Sequence, residues 1–181
     1  HRSRVATASA SSEVTDSAAA ATAMATGRKL ANGVISLGPG GALRTVLEQA
    51  RDAGKSTGLV STTVITHATP AAFAAHAADR ELYDDIAADL FRAEGPTVLL
   101  GGGGAAWGIW PARARAAGYL VVTDRAGLEA IEPRAALKVS GQFADGHLPW
   151  AADLPVDVPG LLDMTRAAVS ILSANPAACS W

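Results

Sequence analysis

Ser17 is the residue of this chain best placed to do chemistry, because it follows Asp16 and opens a run of small residues that ends at Gly27. Such a run predicts a helix, and the free backbone N–H groups and positive dipole end at its start attract an anion. A phosphate or a developing oxyanion could therefore settle beside the Ser17 hydroxyl. Aspartate and serine are also favoured capping residues, and local physics alone favours this purely structural helix start over a nucleophile.

A second group of candidate residues follows a Val-, Ile- and Thr-rich segment, residues 57–65, that predicts a buried strand. His67 and Thr69 are alternate residues at the end of this strand, so both side chains could face one ion or bound water. Arg80 lies farther along, and its planar guanidinium suits two phosphate oxygens at once. The structural alternatives are a strand-end histidine bonded to the backbone and a solvated charged patch around Arg80.

The segments around these residues resemble the alkaline phosphatases. The stretch from Val14 to Gly27 resembles the segment of that family in which a serine after an aspartate takes the phosphoryl group. The stretch from Thr66 to Arg80 resembles the family's magnesium-site residues, followed at fixed spacing by the arginine that clamps the phosphate. Residues 43–61 also resemble the family's helix and strand, and the resemblance covers roughly residues 14–175.

The resemblance implies hydrolysis of phosphate monoesters in two steps, through a phosphoserine at Ser17. It implies that Arg80 clamps the phosphate and that Asp16 holds Arg80 in place. It further implies two Zn²⁺ ions and one Mg²⁺ ion, with Ser17 as a metal-bound nucleophile and Thr69 as a magnesium ligand. His67 takes a position that is aspartate in some members and histidine in others. Because imidazole prefers zinc to magnesium, we expect the third metal to differ from magnesium or to bind it more weakly.

The resemblance also predicts which parts of the family's site this chain lacks. The family has an early aspartate ligand ahead of the serine segment, and nothing in residues 1–13 matches it. The glutamate that binds magnesium and several aspartate and histidine ligands of zinc come after the matched part of this chain. We therefore expect an incomplete chain with little or no turnover by itself, and sheet edges whose exposure favours aggregation.

Composition favours a compact protein and gives no indication of some classes of partner. Of the 181 residues, 49% are hydrophobic and 18% are charged, which suits one folded domain rather than a disordered chain. The formal net charge of −2 gives no reason to expect nucleic acid as a partner. No apolar run is long enough to span a bilayer, and we expect no signal peptide at this start. Cys179 is the only cysteine, so no internal disulfide is expected.

Helical and extended patterns alternate along the chain, which predicts a three-layer α/β/α domain with a mostly parallel sheet. Helices are predicted at Pro70 and over residues 17–26, 42–53, 82–93 and 161–174. Strands are predicted over residues 57–65 and 97–100, and the alternation continues through residues 112–140. The predicted organisation is a disordered leader over residues 1–13, a partial alkaline phosphatase-like domain over residues 14–175, and an aberrant tail over residues 176–181.

Three other segments carry weaker signals. The run from Gly101 to Gly104 follows an apolar strand, but it lacks the GxGxxG and GK[ST] spacings of phosphate loops, which favours a hinge. Asp145 and His147 lie close together in a segment typical of a turn. Trp107 and Trp110 beside the glycine run are typical of rim packing.

Three interpretations remain open from the sequence. The first is a segment of an alkaline phosphatase, supported by Ser17, Thr69 and Arg80 at family spacing. The second is a non-catalytic phosphate- or nucleotide-binding module that uses the start of the Ser17 helix. The third is an inert remnant that needs a missing part to fold. The resemblance alone implies small phosphomonoesters and inorganic phosphate as ligands, a homodimer, and a periplasmic or extracellular location.

Overall fold

The computed structural model describes residues 5–104, 108, 111–133 and 138–174. Its strands are β1 (Leu37–Gly38), β2 (Gly41–Ala42), β3 (Gly58–Val64), β4 (Val98–Gly102), β5 (Tyr119–Val122) and β6 (Lys138–Gln142). Its helices are α1 (Ser17–Thr26), α2 (Val46–Asp52), α3 (Ala68–Ala71), α4 (Tyr83–Leu90), α5 (Pro111–Ala116), α6 (Arg125–Glu129) and α7 (Leu161–Ser173). No helix in this described part of the chain combines the length and the hydropathy that crossing a bilayer requires.

Four strands form a parallel sheet in the order β3, β4, β6, β5, and β1 pairs with β2 in a small antiparallel hairpin. Strand β4 is buried along its whole length, as expected for a central strand of a parallel sheet. Its alternating side chains reach two apolar clusters, Leu99 the first and Val98 and Leu100 the second. Helices α1, α3 and α4 contribute to the first cluster, and α6 and α7 to the second. The predicted three-layer α/β/α fold is confirmed.

Helix α1 has the bounds predicted from the sequence. It can pack closely because its buried face consists of small residues, namely Ala18, Ala19, Ala21, Thr22 and Ala25. Its first turn is capped by Asp16, and it ends at Gly27 with a φ of 72°, a left-handed conformation that glycine adopts without strain. These local signals fix the position of Ser17 as the first residue of the helix.

Helix α2 begins four residues later than predicted, at Val46, because a capping box fixes its start. The Thr45 hydroxyl accepts a hydrogen bond from the Glu48 N–H at 3.1 Å, and Glu48 Oε2 accepts one from the Thr45 N–H at 3.0 Å. The apolar periodicity of residues 42–53 did not reveal this boundary. The helix predicted over residues 82–93 ends three residues earlier than predicted, at Leu90. The helix predicted to begin at Pro70 is the single turn α3, which begins at Ala68.

The segment predicted to be a disordered leader makes hydrogen bonds where the structure describes it. The Ala10 N–H donates to the Leu30 carbonyl at 2.9 Å, and the Asn32 N–H donates to the Ser11 hydroxyl at 2.9 Å. The proposed division into leader, domain and tail stays a prediction. Trp107, Trp110 and the tail of residues 176–181 lie outside the described residues.

Candidate active site

Asp16 joins the start of α1 to the rest of the site. Its Oδ1 accepts the Ala19 N–H at 2.9 Å, and its Oδ2 accepts the Gly33 N–H at 3.0 Å and Arg80 Nη1–H at 3.2 Å. Burial acts to raise the pKa of Asp16, but these amide and guanidinium donors outweigh burial and hold the pKa below its usual range. Asp16 is therefore an ionised carboxylate at neutral pH.

Ser17 is the exposed first residue of α1. The first hydrogen bond within the helix runs from the Ala20 N–H to the Asp16 carbonyl at 3.0 Å, so the N–H groups of Ser17 and Ala18 precede that ladder. An anion that approaches this end of the helix would meet these N–H groups, the positive dipole end and a hydroxyl together. The Asp16 side chain caps the helix, as one interpretation of the sequence held, and this leaves Ser17 exposed.

Arg80 is held at its backbone and at both ends of its guanidinium. Its N–H donates to the Gly33 carbonyl at 2.8 Å, Nη1 donates to Asp16, and Nη2 donates to His67 Nε2 at 3.0 Å. The Glu81 carboxylate lies 3.6 Å from Arg80 Nε. A guanidinium carries five N–H donors, and the side chain is 23% exposed, so further donors remain for an anion. Arg80 is therefore a cation held in place by its partners and is not part of a freely solvated charged patch.

His67 is a neutral acceptor for Arg80. Because its Nε2 accepts the hydrogen bond, the ring proton belongs on Nδ1, which is buried and has no hydrogen-bond partner among the described residues. Burial lowers the pKa of His67, the charge of Arg80 and the nearby His147 lower it further, and Glu81 opposes them. The ring therefore stays uncharged at neutral pH and adds no second cation beside Arg80.

His147 reaches this site, although the sequence indicated only a turn there. Its ring packs edge-on against the His67 ring, with centroids 5.4 Å apart, and its Nδ1 accepts the Val64 N–H at 3.1 Å. His147 follows β6 and His67 follows β3, and the carboxyl ends of parallel strands share one edge of a sheet. That rule is the only sequence-level signal for the contact. Asp145, its neighbour in the turn, is exposed.

Two further predicted features, Thr69 and the glycine run, lie in α3 and at the end of β4. Thr69 is exposed in α3, which packs against α1. Gly101 and Gly102 belong to β4, and a Cβ on Gly102 would lie 1.8 Å from the Gly146 carbonyl oxygen. Gly103 donates its N–H to the Ala144 carbonyl at 2.8 Å. These glycines serve close packing of backbone, and the interpretation that favoured a hinge stays a prediction.

The described residues do not by themselves fit a metal ion. Across residues 5–104, 108, 111–133 and 138–174, no three His, Cys, Asp or Glu side chains lie close enough together to hold one. His67 Nε2 faces Arg80 and its Nδ1 carries the ring proton, so neither nitrogen offers a lone pair in this arrangement. The metal-ligand roles predicted for Ser17, His67 and Thr69 stay predictions.

Comparison with known proteins assigns the family. The family model described as alkaline phosphatase matches residues 2–104. Alkaline phosphatase 3 of Bacillus subtilis is 42% identical over 170 residues, which is 88% of this chain and 36% of that protein. The crystal structure of the cold-active alkaline phosphatase of Shewanella sp. superposes with a TM-score of 0.83 at 39% identity, and the match covers 94% of this chain and 43% of that one. The chain belongs to the alkaline phosphatase family.

A third relative is described with a bound metal. It is a histidine-to-aspartate variant of the TAB5 alkaline phosphatase with magnesium bound in the M3 site, 28% identical, with a TM-score of 0.76 over 94% of this chain and 51% of that one. The present chain thus spans about a third to a half of the length of the relatives that it matches.

Proposed function

We propose that this chain carries the nucleophile and the phosphate clamp of a phosphomonoester hydrolase. The observation that supports this most directly is the Asp16 carboxylate, which caps the helix of Ser17 and also pairs with Arg80. One side chain therefore sets the position of the helix start relative to the guanidinium. Membership of the alkaline phosphatase family supports the same reaction.

In the proposed reaction, the phosphate of the substrate binds between Arg80 and the start of α1. The guanidinium and the helix N–H groups stabilise charge on the non-bridging oxygens. Ser17 Oγ forms a bond to phosphorus while the bond from phosphorus to the alcohol oxygen breaks, and the alcohol leaves with the proton that Ser17 loses. Water then attacks phosphorus, the bond to Oγ breaks, a proton of that water returns to Oγ, and inorganic phosphate is released.

Asp16 and His67 act on the phosphate through Arg80. The ionised Asp16 holds Nη1 and the neutral His67 holds Nη2, so the plane of the guanidinium is fixed before an anion arrives. A charged carboxylate in place of His67 would neutralise more of the Arg80 charge. The neutral imidazole orients the guanidinium while leaving its positive charge available to phosphate.

We propose two zinc ions and one magnesium ion as the cofactors of the complete site, as the family resemblance implies. The magnesium in the M3 site of the TAB5 variant supports a metal-dependent reaction. Such ions, when bound, lower the pKa of a coordinated hydroxyl and stabilise charge on phosphate. Because the described residues do not form a metal site, each step above is assigned only to side chains of this chain.

Substrate breadth, assembly and location are further parts of the proposal. The groups assigned here, Ser17 and Arg80, bind the phosphate rather than the alcohol, which supports a broad range of small phosphomonoesters. A homodimer, and a location in the periplasm or outside the cell, rest on the family resemblance alone.

The test is hydrolysis of p-nitrophenyl phosphate at alkaline pH, with and without zinc and magnesium, by the chain and by its Ser17→Ala variant. Ser170→Ala is a matched control, because Ser170 is an exposed helical serine on α7, on the other side of the sheet. Since little turnover is expected from this chain by itself, the assay is paired with an acid quench after incubation with phosphate. Mass spectrometry should then find phosphoserine at Ser17 in the chain and in Ser170→Ala. Turnover that survives Ser17→Ala would contradict the proposal.

A non-catalytic phosphate-binding module is the second candidate. It is favoured by Arg80, which Asp16 holds in place, and by the open helix start, both of which can bind an anion without a metal. Under this alternative, inorganic phosphate binds with an affinity that is unchanged in Ser17→Ala, and neither turnover nor phosphoserine is detected.

A further inference from the structure

We propose that His76 is a positioning residue for Arg80: its doubly protonated ring balances a buried charge network and so holds the segment that carries the phosphate clamp. This inference rests on the proposed function for the role of Arg80. His76 lies outside the site described above, nine residues after His67 along the chain. Its side chain is only 10% exposed, and no step of the proposed reaction uses it.

Both ring nitrogens of His76 face acceptors. Nε2 lies 3.1 Å from the Leu43 carbonyl oxygen and 3.6 Å from Glu48 Oε2, and Nδ1 lies 3.7 Å from Asp89 Oδ2. An imidazole surrounded in this way is best satisfied when both nitrogens carry a proton. The pairing with Asp89 raises the pKa of His76, burial opposes this, and Glu48 and the Leu43 carbonyl add to the rise.

Charge is balanced among the four innermost groups of the network, Glu48, His76, Asp89 and Arg92, when His76 is charged. Glu48 on α2 accepts from Arg92 Nη2 at 2.7 Å, and Asp89 on α4 lies 3.8 Å from Arg92 Nη1. Arg51 lies 4.0 Å from Glu48 at the outer side of this network, 2.8 Å from Asp52, which also pairs with the exposed Arg44. Two carboxylates thus face one arginine and one histidine. A neutral His76 would leave an excess negative charge in a half-buried network, which is costly.

The backbone connects this network to Arg80. The His76 N–H donates to Asp89 Oδ2 at 2.8 Å, and Ala77 exchanges two hydrogen bonds of 2.9 Å with Ile35. Arg80 then donates its N–H to the Gly33 carbonyl at 2.8 Å, and the Gly33 N–H bonds to Asp16. Residues 76–80 therefore run beside residues 33–35 and end at the clamp. His76 anchors the buried end of that segment to α2 and α4.

The experiment is calorimetric titration of the full chain with sulfate, which stays a dianion from about pH 6 to about pH 9 and so reports the protein's own titration. In the wild type, affinity should fall about fivefold over this range as His76 loses its proton. His76→Gln should bind weakly at both pH values. Asp84→Asn, which alters an exposed carboxylate on the same helix α4 as Asp89, should follow the wild type. A His76→Gln variant that keeps its near-UV circular dichroism and binds sulfate like the wild type would overturn the proposal.

A double variant separates charge balance from loss of the ring. Glu48→Gln combined with His76→Gln removes one negative and one positive charge, and glutamine still serves the capping box at Thr45. Sulfate affinity should return to within about twofold of the wild-type value at pH 6 and no longer change with pH. An affinity as weak as that of His76→Gln alone would overturn the assignment to charge.

Nuclear magnetic resonance of the wild type tests the link without any ligand. The Nε–H resonance of Arg80 should shift with pH at the same midpoint as the His76 ring protons. An Arg80 resonance that does not shift when His76 titrates would overturn the positioning role of His76. Failure of the folded wild type to bind sulfate would instead count against the proposed function, so the two failures are distinguishable.

Discussion

Two clusters of this molecule contain a histidine, an arginine and a carboxylate, yet they place the histidine in opposite states. In the first, His67 accepts a hydrogen bond from Arg80, and the cation and burial lower its pKa. In the second, His76 faces Asp89 and Glu48, and these carboxylates raise its pKa. The difference shows that partners rather than residue types decide the charge of a histidine.

The two clusters also differ in how much of their charge and hydrogen-bonding capacity remains available to a ligand. The His76 network pairs two carboxylates with two cations between α2 and α4, so little charge is left for a ligand. Around Arg80, Asp16 accepts a hydrogen bond, the largely exposed Glu81 carboxylate lies 3.6 Å from Nε, and a helix start lies beside them. A buried, balanced network suits a structural role, whereas an arginine with more exposed carboxylate partners and unused donors, next to free N–H groups, suits anion binding.

The largest expected effect on stability comes from breaking the balanced cluster. Arg92→Ala should lower the free energy of unfolding by about 2–3 kcal/mol, because it leaves Glu48, only 9% exposed, without its 2.7 Å partner. Arg80→Ala should cost about 1 kcal/mol or less, since its carboxylate partner is more exposed. Urea unfolding followed by circular dichroism measures both. Equal losses in the two variants would contradict the contrast between the clusters.

A smaller loss is expected at the cap of α1. Asp16→Ala should cost about 1–2 kcal/mol, because the Ala19 and Gly33 N–H groups lose their acceptor. Asp16→Asn keeps an acceptor for the helix start and should recover most of this stability, while losing the charge that pairs with Arg80. If both variants were equally unstable in urea, the charge pair rather than the cap would dominate.

The two histidines should change the free energy of unfolding with pH in opposite directions. The folded-state pKa of His76 lies above its ordinary value of 6.5, so its contribution is complete below pH 6.5 and is lost as pH rises through the folded-state pKa. The folded-state pKa of His67 lies below 6.5, so its contribution is present above pH 6.5 and is lost as pH falls. Urea unfolding across this range should show a smaller alkaline loss in His76→Gln. An unchanged alkaline limb would count against a charged His76.

The smallest effect is expected at Ser17. Because its side chain is exposed and Asp16 supplies the cap, Ser17→Ala should change the free energy of unfolding by less than about 0.5 kcal/mol. Thermal unfolding of this variant beside Ser170→Ala measures the difference. A larger loss at Ser17 alone would indicate a structural role for the hydroxyl.

Local signals in the sequence were sufficient for the parts of the site that depend on neighbours in the chain. The small residues after Ser17 and the glycine at position 27 predicted the bounds of α1, and the pairing of Asp16 with Arg80 was implied by the family resemblance. The contact of His147 with His67 depends on strand order, which no local pattern encodes.

The His76 network was outside the reach of sequence reasoning for a similar reason. The four residues of the network lie on α2, on a loop, on α4 and just after α4, at spacings that match no motif, namely Glu48, His76, Asp89 and Arg92. They meet because α2 and α4 flank the same loop. Sequence patterns therefore predicted the residues that face a ligand, Ser17 and Arg80, better than they predicted the buried charged network that positions the Arg80 segment.

The most direct test of the account is calorimetric titration of the folded chain with inorganic phosphate, in the wild type and in Arg80→Ala and Arg92→Ala. Binding is expected in the wild type, with an affinity about 10- to 100-fold weaker in Arg80→Ala and only about fivefold weaker in Arg92→Ala, which unbalances the His76 network, at a temperature where it stays folded. Phosphate binding of equal strength in the wild type and Arg80→Ala would contradict the assignment of Arg80 as the phosphate clamp.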